Sequence, residues 1–494
     1  MSGPYETVIG LEVHVQLKTK SKMFTRVPYG YGEEPNTLGD PVIFALPGAL
    51  PVLNMVAVEK TIQTGLLLGC KIPEVCKWDR KNYFYPDSPK NYQISQYDQP
   101  LCLGGGVEIE MANESRSEAG PRRVVELTRI HLEEDVGKLT HVQGGSLVDY
   151  NRAGCALIEI VTEPDLYSAD EAFAFLTSLR TILIYADISD CDMEKGQLRC
   201  DANVSIRPRG TKALGQKVEI KNLNSISGVR NGINYEIRRQ TALAEAGRPI
   251  VQETRRWDAD AGATTSMRTK EDAHDYRYFP DPDLLPVRIS EEWKERLAKE
   301  LPELPFRKQE RFERDYELPY PIASVLCTDR VLADFFEESV RYHPNPKIIA
   351  NLIVNNLLQE VSSGREDTVT GQSAGEILRT LPVQPKDLGA LVRLIDDGTI
   401  SSQIAKEILP KMLRGEGPPG EIVDREGLRQ QTDESLIVSL CEEVIQANPK
   451  AVQEFRDGNE KAINALKGRV MKGSGGKANP GMVDGILRRI LEDR

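Results

Sequence analysis

The sequence predicts an α+β protein in which an antiparallel-sheet domain is followed by an all-α domain and a small helical tail. Before about residue 290, apolar and polar residues alternate in short runs separated by Gly, Pro and Asn, a pattern typical of antiparallel strands. After residue 290 the apolar residues recur at helical spacing. Because 494 residues are too many for one compact core, we place the domains at 1–290, 291–414 and 415–494.

Alternation is clearest in two segments of the N-terminal domain. From Ile9 to Leu17, and again from Cys200 to Ile206, every second residue is apolar, which predicts strands with one buried and one polar face. Shorter segments with the same signal predict strands at 126–133, 156–162, 217–222 and 252–257. Helical stretches are expected at about 55–69 and 169–186.

Helix-start signals mark the all-α domain. Ser290 is the expected cap of a helix over EEWKERLAKEL, and Thr328 is the expected cap of the next apolar-periodic segment. Pro346 begins KIIANLIVNNLLQEV, which predicts one strongly apolar helix, and PKDLGALVRLIDDG predicts another.

The helical tail follows a break in composition. The Gly- and Pro-rich segment 414–423 predicts a linker. Three or four small helices are expected after it. In the last of them, Asn479 is the expected cap and Pro480 the first helical residue.

Composition excludes several classes of protein. No stretch approaches the ~20 apolar residues of a membrane span, so we expect no membrane association. The eight Cys form no C-x-x-C pair, and no secretory or transit leader is visible, which favours a reducing cytoplasm. An organelle stroma or matrix is compatible if a leader was removed. The net charge of -12 argues against a general nucleic-acid coat.

The polar faces of the predicted strands repeatedly carry acids and ligand-type residues. Residues two apart on a strand project from the same face. The rows are Glu12 and His14; Arg129, His131 and Glu133; Glu159; Asp201, Asn203 and Arg207; and Glu219 and Lys221. Carboxylates converging with an imidazole suit Mg²⁺. A solvated face with paired acids is the alternative, and it is weakest for Glu159, the only charge within ALIEIVT.

Two loops are rich in aromatic residues. Residues 79–101 contain five Tyr or Phe together with Lys and Asn, which suits contact with a nucleotide or an RNA end. An aromatic-anchored Ω-loop explains the same composition equally well. Residues 274–286 predict a structural strap. Since no G-x-x-x-x-G-K-[ST] motif or G-x-G-x-x-G after a strand is present, any ATP must be bound in another way.

The C-terminal end is basic although the whole chain is acidic. From Lys461 to Arg489, seven basic residues accompany one acid, Asp484. The loop GSGGKANPG offers backbone N–H groups, and the helix that starts at Pro480 offers a positive dipole end. This combination predicts an anionic partner. The alternative is a solvated basic face.

A set of long motifs in the same chain closely resembles one family, the B subunits of the aspartyl/glutamyl-tRNA(Asn/Gln) amidotransferase (the GatB family). The motifs are VIGLEVHVQLKTKSKMF, DRKNYFYPDSPKNYQISQYDQPL, RIHLEEDVGKLTH, LIEIVTEPD, LRCDANVSIRP, VEIKNLNS, QETRRWD and DYRYFPDPDLLP. The resemblance extends over the whole chain. It implies a catalytic cradle, a helical domain and a YqeY-like tail that binds tRNA.

The resemblance also implies a reaction. ATP and Mg²⁺ serve to phosphorylate the side-chain carboxylate of Glu on tRNA(Gln), Asp on tRNA(Asn), or both. Ammonia, made from glutamine by the amidase subunit, then displaces the phosphate to give Gln-tRNA(Gln) or Asn-tRNA(Asn). The implied heterotrimer also contains a small third subunit. Because a carboxylate is a poor acyl donor, phosphorylation supplies the leaving group, and cations must face the charged phosphoryl oxygens.

Site residues follow from the same resemblance. The implied metal-binding and catalytic set is Glu12, His14, Glu133 or Glu134, and Glu159, with Lys81 as a further catalytic group. Implied nucleotide or substrate contacts are Tyr83, Arg199, Asp201, Asn203 and Lys221. Strand parity puts Glu134 on the face opposite Glu133, so periodicity alone leaves both acids open as ligands.

Two further expectations complete the comparison with the family, and two alternative functions explain less of the sequence. Some members carry a four-Cys zinc site after the first strand, but residues 24–48 of this chain contain no Cys, so we expect no zinc. Lys467, Lys472 and Lys477 are the expected tRNA contacts of the tail. A non-catalytic RNA-binding scaffold would not explain the acids, and a lone metal-dependent hydrolase would not explain the helical domain and tail.

Overall fold

The computed structural model describes residues 3–113, 115, 117–269, 276–363, 374–430, 434–457, 459–474 and 477–492. The chain divides into two compact units, Met1–Leu304 and Pro305–Arg494. The first unit contains the sheet, and the described part of the second is helical. In the described residues no helix is both long enough and apolar enough to cross a membrane.

The strands of the first unit include all six that alternation predicts, at 9–17, 126–133, 156–162, 200–206, 217–222 and 252–257, each within a few residues. The strands are β1 (Tyr5–Gln16), β2 (Val75–Cys76), β3 (Asp79–Asn82), β4 (Tyr92–Ser95), β5 (Cys102–Leu103), β6 (Gly106–Glu110), β7 (Arg122–Glu134), β8 (Lys138–Val142), β9 (Gly145–Asp149), β10 (Ala156–Thr162), β11 (Leu198–Pro208), β12 (Val218–Leu223), β13 (Glu253–Asp258), β14 (Ala263–Thr269), β15 (Phe279–Pro280) and β16 (Val287–Arg288).

Nine of these strands form one sheet with β1 near its centre. Its order is β14-β13-β12-β11-β1-β10-β7-β5, and β6 also pairs with β7. The remaining strands form separate small sheets. One consists of β15, β3 and β4, another of β16 and β2, and another of β8 and β9. Because β1 pairs on both sides, the side chains on its polar face are flanked by those of β10 and β11. This arrangement brings the predicted rows of polar residues next to one another.

The opposite face of the sheet is covered by helices. Ile9, Leu11 and Val13 of β1 are at most 1% exposed, and they share one core with α1 (Met55–Leu67), α2 (Ala169–Tyr185) and α3 (Ile226–Glu245). Each helix begins at a polar cap whose side chain accepts a hydrogen bond from a first-turn N–H. The caps are Asn54, Ser168 and Ser225.

The helix α3 is absent from the sequence prediction, and its presence changes the sheet. Its buried stripe contains Glu236 and Gln240, which interrupt the apolar periodicity. Glu236 is fully buried because Arg239 and Gln240 donate to its carboxylate. A helix between β12 and β13 lets these strands run parallel. The described sheet is therefore mixed at this pairing, and its other described pairings are antiparallel, as predicted.

The boundary between the units lies later than residue 290. Helix α4 (Glu291–Lys299) begins at Ser290, whose hydroxyl accepts from Trp293 N, as predicted. However, Leu297 is buried in the core of the first unit, and Arg296 forms an ion pair with Glu59 of α1. The first predicted helix of the all-α domain thus packs on the sheet domain. The division into three domains stays a prediction.

Helices account for nearly all regular structure in the described part of the second unit. They are α5 (Pro305–Asp315), α6 (Tyr320–Leu326), α7 (Arg330–Tyr342), α8 (Pro346–Leu352), α9 (Leu358–Ser363), α10 (Ala374–Thr380), α11 (Pro385–Asp396), α12 (Ser402–Leu413), α13 (Pro419–Arg425), α14 (Glu434–Ala447), α15 (Pro449–Arg456), α16 (Ala462–Gly473) and α17 (Pro480–Glu492). A π-helical turn over Ile353–Leu357 joins α8 to α9, so the helix predicted from Pro346 is present and contains one wider turn.

Two local predictions in this unit are wrong. Asp329, not Thr328, caps α7, because its carboxylate accepts from Val331 N at 2.8 Å. The Thr328 hydroxyl instead donates to Val325 O at the end of α6. The predicted linker 414–423 is also partly helical, since α13 starts at Pro419 and buries Ile422 and Val423 in the core of the helical domain.

The tail forms its own apolar core from four helices, α14 to α17, within the predicted number. The cap of α17 is confirmed, because Asn479 Oδ1 accepts from the N–H groups of Gly481 and Met482 at 2.9 and 3.2 Å. Pro480 is the first residue of the helix. Residues 475–476 of the Gly-rich loop lie outside the described residues.

Candidate active site on the polar face of the sheet

The centre of the polar face is a cluster of one imidazole and two carboxylates. His14 lies opposite Glu159 in the pairing of β1 with β10, and its Nε2 is 3.3 Å from Glu159 Oε2. The same Nε2 is 3.8 Å from Glu133 Oε1. One ligand atom from each of the three residues lies within 4.8 Å of the others. This spacing and chemistry suit a divalent cation.

A second imidazole, that of His131, completes this cluster. It lies opposite Glu159 in the pairing of β10 with β7 and is 3% exposed. Its Nε2 is 3.3 Å from Glu159 and 3.6 Å from Glu133, whereas its buried Nδ1 has no partner. The metal-binding set that the resemblance implies does not include His131, although the sequence places it on the same strand face as Glu133.

The opposite charges of the cluster stabilise one another and shift the pKa values of its members. Burial by itself lowers the pKa of His14, but the carboxylates of Glu159 and Glu133 outweigh burial and raise it. Burial raises the pKa of Glu133, but Lys81 and His131 outweigh burial and lower it to about 2. Burial also raises the pKa of Glu159, but the nearby imidazoles of His131 and His14 outweigh burial, so the pKa of Glu159 is lowered. Both acids are therefore ionised at neutral pH, the form in which a carboxylate binds a cation.

The structure distinguishes the two acids at the end of β7. Glu133 points into the cluster, where Ser95 also donates to its carboxylate. Glu134 projects from the other face and forms an ion pair with Lys90 at 2.5 Å. Its second contact is the N–H of Ile94 at 2.9 Å. Both carboxylate oxygens of Glu134 thus have partners away from His14, as the alternation of the strand requires.

Glu12 belongs to a second, neighbouring group of acids. It lies opposite Asp201 in the pairing of β1 with β11, and its carboxylate accepts from Asn203 at 3.0 Å. Burial raises the pKa of Glu12, and the charges of Glu159 and Asp201 raise it further. Lys221 neutralises part of this group by pairing with Asp201 at 2.5 Å and Glu219 at 2.9 Å.

Lys81 lies between the acid cluster and a wall of tyrosines. Burial lowers its pKa, but Glu133 and Tyr278 are among the groups that outweigh burial and raise it. Its ammonium is 5.1 Å from the centre of the Tyr276 ring. Tyr83 packs against Tyr276 at 6.4 Å between ring centroids. The predicted residues Lys81 and Tyr83 are therefore brought together beside the cluster.

The tyrosine wall comes from both aromatic loops. Tyr278 stacks on Tyr97 with 4.4 Å between ring centroids and is 6.1 Å from Tyr276. The segment 274–286, which we predicted to be only a structural strap, thus lines the candidate site. It also pairs with β3 through Phe279 and Pro280. Residues 274 and 275 lie outside the described residues.

Arg199 is held at the edge of the cluster by Asp135. It lies opposite His14 in the pairing of β1 with β11, and its Nη2 is 2.7 Å from Asp135 Oδ2. Burial lowers the pKa of Arg199, but Asp135 outweighs burial and raises it. The guanidinium is therefore charged and fixed in position.

A cavity of about 420 Å³ continues from Glu12 along the same face. Its floor is β1 at Gly10, where an added Cβ would find its nearest neighbours only at 3.9 Å. Its lining residues are mostly neutral: Val8, Gly10, Leu11, Glu12, Val161, Thr162, Pro164, Asn203, Ser205, Leu214, Gly215, Gln216, Lys217 and Gln252. Apolar walls with a few amides are typical of a site for a neutral, partly aromatic group.

The predicted tRNA contacts lie in the second unit, on and beside the last two helices of the tail. Lys467 of α16 is 3.3 Å from Asp484 of α17, which also pairs with Arg488. In the described part of the tail, no carboxylate lies within 4.0 Å of the amines of Lys472 and Lys477. Only part of the predicted basic surface is therefore free of acidic partners.

Comparison with known proteins gives matches over nearly all of the chain. The model of the GatB/GatE catalytic domain matches residues 7–295, and the model of the GatB domain matches residues 334–491. The chain belongs to the GatB family. This confirms the resemblance that its motifs predicted, and the first matched GatB region contains every residue of the candidate site.

Relatives within the GatB family are similar over their full length. The aspartyl/glutamyl-tRNA(Asn/Gln) amidotransferase B subunit of Opitutus terrae is 58% identical over 490 residues, which are 99% of each chain. The proteins of the same name from Moorella thermoacetica and Thermoanaerobacter pseudethanolicus are each 48% identical and are covered over 100% and 99% of their length.

Proposed function

We propose that this chain is the B subunit of an aminoacyl-tRNA amidotransferase, an ATP-dependent ligase. It would convert Glu on tRNA(Gln), Asp on tRNA(Asn), or both, to the corresponding amide. The observation that supports this function most strongly is the convergence of His14, Glu133 and Glu159 next to the charged Lys81. The relatives named as amidotransferase B subunits support the choice of substrate.

The reaction has two steps in which atoms and charges balance. A side-chain carboxylate oxygen of the aminoacyl group attacks the γ-phosphorus of ATP, and ADP leaves. Ammonia then attacks the acyl carbon of the acyl phosphate, and inorganic phosphate leaves with the C–O bonding electrons and takes up the proton that the nitrogen loses. Both steps develop negative charge on phosphoryl oxygens, so the protein must place cations and hydrogen-bond donors around them.

The proposed metal ligands are His14, Glu133 and Glu159. One imidazole and two carboxylates suit Mg²⁺, or Mn²⁺ in its place, because hard oxygen donors predominate. When bound, the divalent cation would neutralise phosphoryl charge. His131 would hold the two carboxylates in position from the other side, since its Nε2 lies near both.

Other charged residues would bind or orient substrates. Lys81 is a charged amine next to Glu133 and suits a transferring phosphoryl group. Arg199 of β11, which Asp135 holds in position, also suits binding of a phosphoryl group. Glu12, Asp201, Asn203 and Lys221 form a polar bridge between the cluster and the cavity, where the ribose and the inner phosphates would lie.

The cavity above Gly10 suits the nucleoside of ATP. His14 lies four positions after Gly10 on β1, about 13 Å along the strand, a distance comparable with the extended length of ribose and triphosphate. Its neutral lining suits a base, and the side-chain amides of Gln216 and Gln252 would hydrogen-bond the base edge. The tyrosine wall on the other side of the cluster suits stacking of the RNA end.

The proposed partners are the amidase subunit, the small third subunit, and tRNA. Ammonia must reach the acyl phosphate before water does, which requires a stable complex with the ammonia-producing protein. The YqeY-like tail would bind tRNA through Lys467, Lys472 and Lys477. Mg²⁺ dependence and the absence of zinc stay predictions, as does a cytoplasmic location.

The test is reconstitution of this chain with its amidase and small partners. We expect glutamine- and ATP-dependent conversion of Glu-tRNA(Gln) or Asp-tRNA(Asn), measured as the released amino acid amide. His14→Ala and Glu159→Ala should lower the rate by about 10²–10³ while the complex still assembles. Calorimetric titration with Mg²⁺ should show weaker binding in both variants.

A matched control is Glu126→Gln, since Glu126 is an exposed acid on β7 outside the cluster. It should convert tRNA like the wild type. ATP turnover without any dependence on aminoacyl-tRNA would contradict the proposal and favour a metal-dependent hydrolase. Normal rates in both cluster variants would show that the reaction takes place elsewhere.

A further inference from the structure

Arg129 differs from three other cations on the polar side of the sheet, each of which has a carboxylate partner. Arg199 pairs with Asp135, Lys221 pairs with Asp201 and Glu219, and Arg207 pairs with Glu6 at 2.6 Å. For the guanidinium of Arg129, no described carboxylate lies within 4.0 Å. Arg129 thus carries a positive charge that the described part of the folded chain does not neutralise by direct pairing.

The position of Arg129 places this charge beside the acid cluster. It lies on β7 two residues before His131, on the same face, at a spacing of about 7 Å. Its neighbours across the sheet are Val161 on β10 and Leu103 on β5, both apolar. Neither neighbour offers a side-chain acceptor.

The hydrogen bonding of Arg129 is also incomplete. Its Nη1 donates to the backbone oxygen of Tyr97 at 3.4 Å, a long contact, and its buried Nε has no partner. A partly buried guanidinium with unused donors is costly unless an oxyanion pairs with it. Because the ring of Tyr97 stacks on Tyr278, the donors lie at the foot of the tyrosine wall.

We propose that Arg129 binds the side-chain carboxylate of the glutamyl or aspartyl group carried by tRNA, an inference that rests on the proposed function. The planar guanidinium matches a carboxylate with two parallel hydrogen bonds, which the single ammonium of Lys81 cannot do. Lys81, next to Glu133 and Glu159, suits the phosphoryl group instead. Arg129 would thus hold one carboxylate oxygen while the other attacks phosphorus.

This role makes Arg129 a specificity residue as well. The substrate side chain is an anion, whereas the product is a neutral amide. An otherwise unpaired guanidinium binds the anion more tightly than the amide, by about 10- to 100-fold for a charge-assisted hydrogen bond. The same difference would favour release of the amidated tRNA.

The experiment compares Arg129→Gln and Arg129→Lys with the wild type in the reconstituted complex. Equilibrium binding of Glu-tRNA(Gln) and Gln-tRNA(Gln) is measured without ATP, so that this readout does not depend on turnover. We expect the wild type to prefer Glu-tRNA(Gln), Arg129→Gln to lose the preference, and Arg129→Lys to keep part of it. The KM for aminoacyl-tRNA should rise in parallel, while the KM for ATP stays within about twofold.

Arg122→Gln is the matched control, because Arg122 lies on the same strand but pairs with Glu110 at 2.6 Å. It should retain the wild-type preference. An unchanged preference in Arg129→Gln would overturn the inference. A raised KM for ATP with an unchanged preference would also overturn it, by showing that the guanidinium holds a phosphate. A wild-type complex that binds but never amidates would contradict the proposed function while the binding preference still tests Arg129.

Discussion

The acid cluster on the sheet and the basic tail both carry predicted functional charges, but the protein assembles them in different ways. His14, Glu133 and Glu159 come from three strands and are far apart in sequence, yet their ligand atoms lie within 4.8 Å. The lysines of the tail lie close together in sequence, yet one of them is paired with Asp484.

The difference shows what strand register and helix packing do to charges. Register places buried side chains opposite fixed partners, so each charge of the cluster is held by its neighbours. Packing of two short helices leaves charges near water, where an ion pair contributes little. We therefore expect substitutions in the cluster to have large effects that depend on position, and substitutions in the tail to have small, additive ones.

The largest effects are expected from substituting the adjacent acids Glu133 and Glu134, and the two substitutions should affect different properties. Glu133→Gln should reduce transamidation by about 10²–10³ and weaken Mg²⁺ binding, because it removes a ligand from the cluster. Glu134→Gln should leave Mg²⁺ binding intact but cost on the order of 3–5 kcal/mol of stability, because Lys90 loses its buried partner. Mg²⁺ titration and thermal unfolding of both variants measure the two effects. Loss of Mg²⁺ binding in Glu134→Gln would reverse the assignment.

The second prediction compares two truncations of the tail. Deleting 431–494 should raise the KM for tRNA on the order of tenfold, because the tail lysines contribute to phosphate contacts, and should leave the helical domain stable. Deleting 415–494 should raise the KM similarly but also lower Tm, since Ile422 and Val423 leave the core and each such loss costs about 2–4 kcal/mol. Glutamine hydrolysis by the assembled complex serves as the control. Equal Tm values would show that α13 does not stabilise the helical domain.

A smaller effect is expected from filling the cavity floor. Gly10→Val should raise the KM for ATP about tenfold, since a β-branched side chain suits a strand but occupies cavity space. The KM for glutamine should not change. Gly145→Val is the matched control, because Gly145 lies on β9 with open space around its Cα. An unaltered KM for ATP in Gly10→Val would place the nucleoside outside the cavity.

The smallest effects are expected from single lysines of the tail. Lys472→Ala and Lys477→Ala should each reduce the slope of log affinity against log salt by roughly 0.9, because each removes one phosphate contact. Lys467→Ala should change the slope less, since Asp484 already neutralises Lys467. Binding of tRNA at several salt concentrations gives the slopes. Three unchanged slopes would mean that these lysines form an ordinary solvated surface.

Much of this architecture is predictable from local patterns, and the failures have identifiable causes. Alternation located the long strands of the site, β1, β7, β10, β11 and β12, because each has one buried face. It missed β3, which carries Lys81 and lies within the predicted loop 79–101. Helix α3 is not predicted because Glu236 and Gln240 occupy its buried stripe and interrupt the apolar periodicity. Their hydrogen-bond partners come together only in the folded protein. Missing α3 also meant missing the parallel pairing of β12 and β13. The sequence predicts only a structural strap at 274–286, because the contact of Tyr278 with Tyr97 is long-range and no local pattern indicates it.

The sequence by itself determined which residues share a strand face, which family the motifs indicate, and where six of the helices begin: α1, α2, α4, α8, α11 and α17. These properties depend on neighbours along the chain, through side-chain alternation and capping. Only the tertiary structure decided that Glu133 rather than Glu134 faces His14, that His131 joins them, and that Arg129 lacks an acidic partner among the described residues. The physical reason is that pairing register sets the distances between strands, and no single strand contains that information.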